Sequence, residues 1–194
     1  MKHSLWISNK VNSYKFHLLN LDHPDINAII IREIESGIDV YYDRRWELTE
    51  DFSRFLIDQQ KWVKNRKVLV LGAGIGMETL IIGRLCSKMY INDLAPTALE
   101  LSSWQLRENG IHNFKLFQGH YEFLNFPPVD IVVGCFLVYN PQTAKAMKRF
   151  LDNCSIPVLL MNEPLYAFQK LIKTTKKKIY YLQHKNPVLC ILFE

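Results

Sequence analysis

The sequence predicts a single α/β domain: a seven-stranded, mostly parallel sheet with helices on both faces and an antiparallel hairpin at its C-terminal end. Three observations predict it. From Lys67 onward, short apolar runs of strand length alternate with segments of helical period. The first change from strand to helix falls on a glycine-rich turn, Gly72-Ala73-Gly74-Ile75-Gly76. The last two β-rich runs, Lys178 to Gln183 and Val188 to Phe193, are joined only by His184, Lys185, Asn186 and Pro187. No helix fits there, so the two runs pair antiparallel and the sheet ends with one strand opposed to the rest.

Size and composition set the outer limits. A chain of 194 residues that is 48% hydrophobic can bury one core and is too short for two ordinary catalytic domains. Its longest apolar stretches, Val68 to Ile75 and Ile131 to Tyr139, have the length of buried strands and fall far short of the roughly 20 residues that span a bilayer. Near the N-terminus, Ser8, Asn9 and Lys10 interrupt any apolar core of a secretory signal, so a soluble protein of the reducing cytoplasm is expected. Cys86, Cys135, Cys154 and Cys190 lie far apart among apolar neighbours, the pattern of buried free thiols rather than of disulfides or a zinc site. The net charge of +5 owes much to Lys173, Lys176, Lys177 and Lys178. Without interleaved aromatics or arginines, that run reads as a solvated loop, and a nucleic-acid partner is not expected.

Two helices precede the sheet. Asp22 to Ser36 places Ile26, Ile29, Ile30 and Ile34 on one face, with Asp22 as N-cap, Pro24 in the first turn and Gly37 at the end. Thr49 to Val63 carries an apolar stripe of Phe52, Phe55, Leu56 and Trp62, with Glu50 and Asp51 at the positive end of the helix dipole. Then Val68 to Leu71 reads as a strand, Met77 to Cys86 as a helix, Met89 to Asp93 as a strand, and Pro96 to Gly110 as a helix. Strands follow at Phe114 to Gln118, Asp130 to Val138 and Pro157 to Asn162, with a helix from Pro141 to Asn153. Residues 1–46 are expected as an N-terminal helical extension packed on the core and 47–194 as the main domain, together one structural unit.

The chemistry concentrates at two strand ends. Gly72, Ala73, Gly74 and Gly76 stand where a buried strand must turn into a helix; lacking a Cβ, the glycines let the chain turn tightly and let a ligand approach the helix N-terminus. A dinucleotide fingerprint would need glycine at position 77, which is Met77, so a pyrophosphate is disfavoured. Asp93 ends the second strand of the alternation, where its carboxylate can accept both hydroxyls of a ribose. The same residue is placed to cap the helix that begins at Pro96, and the two roles are compatible.

From Trp46 to about Tyr166 the chain resembles the class I, seven-β-strand methyltransferases, whose sheet is Rossmann-like. Val68 to Gly76 is similar to their first motif, Ile91-Asn92-Asp93 to their second, and the terminal hairpin to their reversed last strand. Within that superfamily the chain looks most like the group of mostly protein-lysine methyltransferases that includes the electron-transfer-flavoprotein β-subunit enzyme. Trp46 before a helix, Asn92-Asp93 followed closely by a proline, and the run Asp130 to Tyr139 carry that likeness. The resemblance implies S-adenosylmethionine as cofactor, held by Gly72, Ala73, Gly74, Gly76, Asp93, Leu94, His120 and Trp46, with no metal. Arg44 and Arg45 would meet the donor's carboxylate. The acceptor is expected to be a protein side chain, lysine first, with a small molecule as the alternative, and the protein itself a monomer or weak homodimer without a membrane partner. A fold that keeps the cofactor but has lost catalysis is a third reading.

At the acceptor mouth the chain departs from that group, which usually carries an acid three positions before the tyrosine. Tyr139 matches the tyrosine, but the acidic position is Phe136. A lysine nucleophile must lose its proton, and a carboxylate helps bind and position it; a ring can hold the cation but accepts no proton. Glu163, after the fifth strand of the alternation, is therefore an acceptor-side candidate beside Tyr139, and Glu122 a further substitute. Asn140-Pro141 lacks the second proline and aromatic of a nucleic-acid methyltransferase run, and Asn140 is expected to cap the following helix.

Overall fold

The computed structural model describes residues 4–37, 40–42, 47–185 and 188–194. Its centre is a seven-stranded sheet formed by β3 (Lys67–Leu71), β4 (Lys88–Asp93), β5 (Phe114–Gln118), β6 (Ile131–Cys135), β7 (Val158–Asn162), β8 (Ile179–Lys185) and β9 (Val188–Phe193). Their order across the sheet is β5-β4-β3-β6-β7-β9-β8. The pairs β3–β4, β4–β5, β3–β6 and β6–β7 are parallel, whereas β9 runs antiparallel to both β7 and β8. The C-terminal hairpin therefore forms as the sequence predicts, with its last strand inserted between β7 and β8.

Alternation along the strands explains the two-sided core. In β3, Val68 and Val70 face one cluster, with Leu56 and Phe52 of α2 (Glu47–Asp58) and Leu80 and Ile81 of α3 (Met77–Leu85). Leu69 and Leu71 face the other, with Met147 and Leu151 of α5 (Pro141–Asn153) and Phe168 and Leu171 of α6 (Tyr166–Thr174). Each such fully buried side chain contributes roughly 1.5–3 kcal/mol relative to exposure. All four cysteines are buried within these layers, and among the described residues no helix is long and apolar enough to cross a membrane.

Several local expectations change. The first helix, α1 (Pro24–Glu35), is capped by His23, whose ring nitrogen accepts from the amide of Asp25, and not by Asp22. The second ends at Asp58 and continues only as a 3₁₀ turn over Gln60–Trp62. Helix α6 occupies a stretch left without an element by the sequence pattern, so Lys173 belongs to its last turn. Of the remaining lysines, Lys177 donates to the Cys154 carbonyl and Lys178 lies over the Tyr180 ring.

The N-terminal segment contains, besides α1, an unforeseen hairpin of β1 (Trp6–Val11) and β2 (Tyr14–Leu19). Two side chains of α4 (Pro96–Glu108) and its cap fasten it. Asn109 exchanges a pair of bonds with the His17 backbone at 2.8 and 2.7 Å, and Gln105 accepts from the Leu19 amide at 2.9 Å. Gln105 also donates to the Ile75 carbonyl, so one amide links the hairpin to the glycine turn.

Candidate functional site

After β3 the chain passes first to β4 and β5 on one side and then to β6 and β7 on the other. Ligand clefts of open α/β sheets form beyond the strand ends at such a reversal. Here that place is a cavity of about 720 Å³, within the usual range for small-ligand sites. Its floor is the glycine turn. Gly72 and Gly74 both have left-handed backbones, φ +52° and +51°. A Cβ on Gly72 would stand 2.5 Å from Leu137, so only glycine fits there without displacing that side chain.

Asp93 closes one side. Its Oδ2 accepts from the Gly74 amide at 2.7 Å and its Oδ1 from the Ala95 amide at 3.0 Å. The carboxylate thus ties the glycine turn to the segment entering α4 and keeps lone pairs for the cavity it lines. It does not cap that helix as expected, because its bond stops at the amide of Ala95, which is itself the N-cap and has no side-chain cap bond. Burial pushes its pKa above the ordinary value, opposed by these amides. Neighbouring Asn92 is fully buried and donates to the carbonyls of Phe117 and Gly119, holding the end of β5 against β4. His120 follows directly. It caps a 3₁₀ turn by accepting from the Glu122 amide through Nδ1, and its ring lies 4.8 Å from that of Tyr121.

The far wall comes from β6 and the loop behind it. Phe136 has a left-handed backbone, φ +53°, an unusual conformation for a side chain of that bulk. Its amide donates to the Met161 carbonyl at 2.8 Å. Asn162 clamps the loop further by exchanging two bonds with the Val138 backbone, each 3.0 Å. Tyr139 is thereby presented to the cavity, its ring 6.0 Å from Phe136 and 5.5 Å from Tyr41. Asn140 forms a reciprocal capping box with Thr143, as expected.

Of the residues singled out from sequence, Gly72, Ala73, Gly74, Gly76, Asp93, Leu94, His120 and Tyr139 all line this one cavity. Trp46, with Arg44 and Arg45, lies outside the described residues. Glu163 does not line the cavity; it sits half-buried beyond Asn162, its carbonyl accepting from the Asn162 side chain and the Leu165 amide as the chain turns into α6. Glu122 is committed elsewhere, in an ion pair with Arg149 of α5 at 2.5 Å.

Glu78 was missed. It stands in the first turn of α3, lines the cavity, and is only 2% exposed. Its carboxyl curls back over Gly76, where a Cβ would meet it at 2.2 Å, and its Oε2 has no hydrogen-bond partner. Burial pushes its pKa up to about 7, opposed only by its own backbone amide. The available signal was an acid inside an otherwise apolar helix, Met77-Glu78-Thr79-Leu80-Ile81-Ile82.

No family model matches the sequence. Among curated proteins, the electron transfer flavoprotein beta subunit lysine methyltransferase of Rattus norvegicus is 26% identical over 118 residues, 60% of this chain and 46% of the relative. The Mus musculus protein of the same name is 26% identical over 117 residues. The chain thus spans about half the length of the curated relatives it matches. Among solved structures, a SAM-dependent methyltransferase from Aquifex aeolicus superposes with TM-score 0.59 at 10% identity, over 84% of this chain and 96% of that one. A putative methyltransferase from Streptococcus mutans, solved in complex with SAH, gives TM-score 0.55 at 18% identity, over 78% and 99%. The chain has the class I methyltransferase fold, and its sequence is similar to that of the flavoprotein β-subunit lysine methyltransferases.

Proposed function

We propose that the protein is an S-adenosylmethionine-dependent methyltransferase acting on a protein side chain, with a lysine amine as the first candidate acceptor. The observation that carries this reading is the Asp93 carboxylate tied to Gly74 inside a cavity floored by a glycine turn. Those residues fit a nucleoside. Asp93 offers lone pairs to ribose hydroxyls, the glycines admit the ligand close to the backbone, and the position where a dinucleotide fingerprint needs its last glycine is Met77. Leu94 gives the adenine an apolar face, and His120, with Nδ1 engaged by Glu122, keeps Nε2 for a polar edge. When bound, the donor supplies a methyl group already activated on a sulfonium, so alignment rather than covalent help from the protein provides much of the rate.

Tyr139 orients the acceptor. Departure of the amine's proton does not depend on a carboxylate at position 136, because proton loss to solvent can precede attack. The similarity to lysine methyltransferases supports a protein acceptor. So do the exposed rings at the mouth: Tyr41, 53% exposed, lines the cavity, and Phe123, 79% exposed, stands 5.9 Å from the His120 ring.

Titration calorimetry with S-adenosylhomocysteine, with NADH as control, tests the donor. Micromolar binding by the wild type, lost in Asp93→Ala and absent for NADH, is expected. No binding at millimolar ligand would leave only a shared fold. Transfer of labelled methyl to protein rather than to small amines then tests the acceptor class.

A further inference from the structure

We infer that Glu78 is the anchor for the α-ammonium of the donor's amino-acid end, an inference that rests on the donor reading above. Two of the carboxylates lining the cavity, Asp93 and Glu78, lie on opposite sides of the glycine turn. Asp93 ends β4, and Glu78 stands over the turn beside Cys135 at the end of β6, the strand on the other flank of β3. Two strand spacings separate those flanks, about 10 Å. A nucleoside seated with its ribose on Asp93 and its thioether over the turn carries its amino-acid end to Glu78.

Three features of Glu78 call for a cation. Its Oε2 is buried without a partner, and no Lys or Arg among the described residues pairs with it. A buried carboxyl left in that state is costly, and such a group is retained where a ligand completes it. The position in the first turn of α3 favours the ionised form once a cation is present. Gly76 has no Cβ where the carboxyl lies, so the side chain can turn from its own amide toward the cavity without a steric barrier on that side. The ammonium then donates to Oε2, a charge-assisted bond that offsets the burial. Of the other acids lining the cavity, Glu50 is already paired with Arg54 and Glu47 is exposed to solvent at the start of α2, so neither is a buried carboxylate awaiting a partner.

The test compares two ligands that share the adenosine thioether and differ in the amino acid: S-adenosylhomocysteine, which has it, and 5′-methylthioadenosine, which does not. Titration of the wild type and Glu78→Gln with each separates the roles. Expected is a loss of about tenfold or more in homocysteine-ligand affinity in the variant, with methylthioadenosine affinity unchanged; the second ligand also reports that the variant folds. Equal affinities of wild type and variant for S-adenosylhomocysteine would overturn the assignment while leaving the donor reading intact. A parallel loss for both ligands would also overturn it, placing Glu78 in the scaffold of the turn. Failure of the wild type to bind either ligand would remove the donor reading and this inference together.

Discussion

The two carboxylates on either side of the glycine turn, Asp93 and Glu78, are built in opposite ways. Asp93 spends both oxygens on backbone amides, that of Ala95 just before α4 and that of Gly74 in the glycine turn across from it. Among the described residues Glu78 has only its own amide, and its Oε2 has no hydrogen-bond partner. The first shapes the site and still has lone pairs to offer hydroxyl donors. The second, buried with Oε2 unpartnered, costs the free protein stability, and on the reading proposed above a cation offsets that cost. The contrast teaches that a satisfied carboxylate marks where a neutral, hydroxyl-bearing group sits, and an orphaned one marks where charge is to be neutralised.

The comparison is broken most directly at Asp93. In Asp93→Ala the proposed ribose acceptor disappears together with the partner of the Gly74 amide, so affinity for S-adenosylhomocysteine and for methylthioadenosine should both fall, by about a hundredfold or more. Calorimetry reads this, and retention of either affinity would place the nucleoside elsewhere.

Glu78→Gln sharpens the contrast through stability. Burial raises the Glu78 pKa from 4.5 to about 7 in the folded chain, with the Cys135 thiol facing it from β6. Below the unfolded value both states are protonated and nothing is lost; as pH rises from about 4.5 to 7 only the unfolded chain ionises, so stability falls across that window. The glutamine removes the loss, on the order of 3 kcal/mol when fully developed. Thermal melts should show the variant several degrees more stable than wild type at pH 8 and equal to it near pH 4. A variant less stable at pH 8 would contradict the orphaned carboxylate.

Asn162 is the neutral counterpart on the far wall. Asn162→Ala frees both backbone groups of Val138 and should cost about 2 kcal/mol in chemical denaturation. Turnover should fall more than donor affinity, since the loop carries Tyr139 and not Asp93. The smallest effects belong to the acceptor side. Tyr139→Phe is expected to lower kcat by about tenfold or less with donor affinity intact, and Glu163→Gln, off the cavity, to leave turnover within about twofold. A large loss in Glu163→Gln would return that residue to the site.

The glycine turn, Asp93 and the Asn140 cap were legible because each is fixed by local geometry: a strand-to-helix turn needs glycine, and a carboxylate or amide next to a helix start finds its amides within a few residues. Glu163 and Glu122 were misplaced by the same reasoning, since side-chain direction beyond a strand end depends on what the next element packs against. Glu122 met Arg149, 27 residues away. Helix α6 was hidden by its shortness and by the lysine run at its end, and the β1–β2 hairpin by polar residues alternating with few strong hydrophobics.

By itself the sequence determined the alternation of strands and helices, the place of the turn, and the antiparallel end of the sheet. These rest on periodicity and on a connection too short for a crossover. Tertiary structure alone decided that β9 inserts between β7 and β8, that Gln105 and Asn109 bind the N-terminal hairpin to α4, and that Glu78 is buried with its Oε2 unpartnered. Each is a pairing between groups far apart in the chain, and whether a polar atom finds a partner there depends on the fold as a whole.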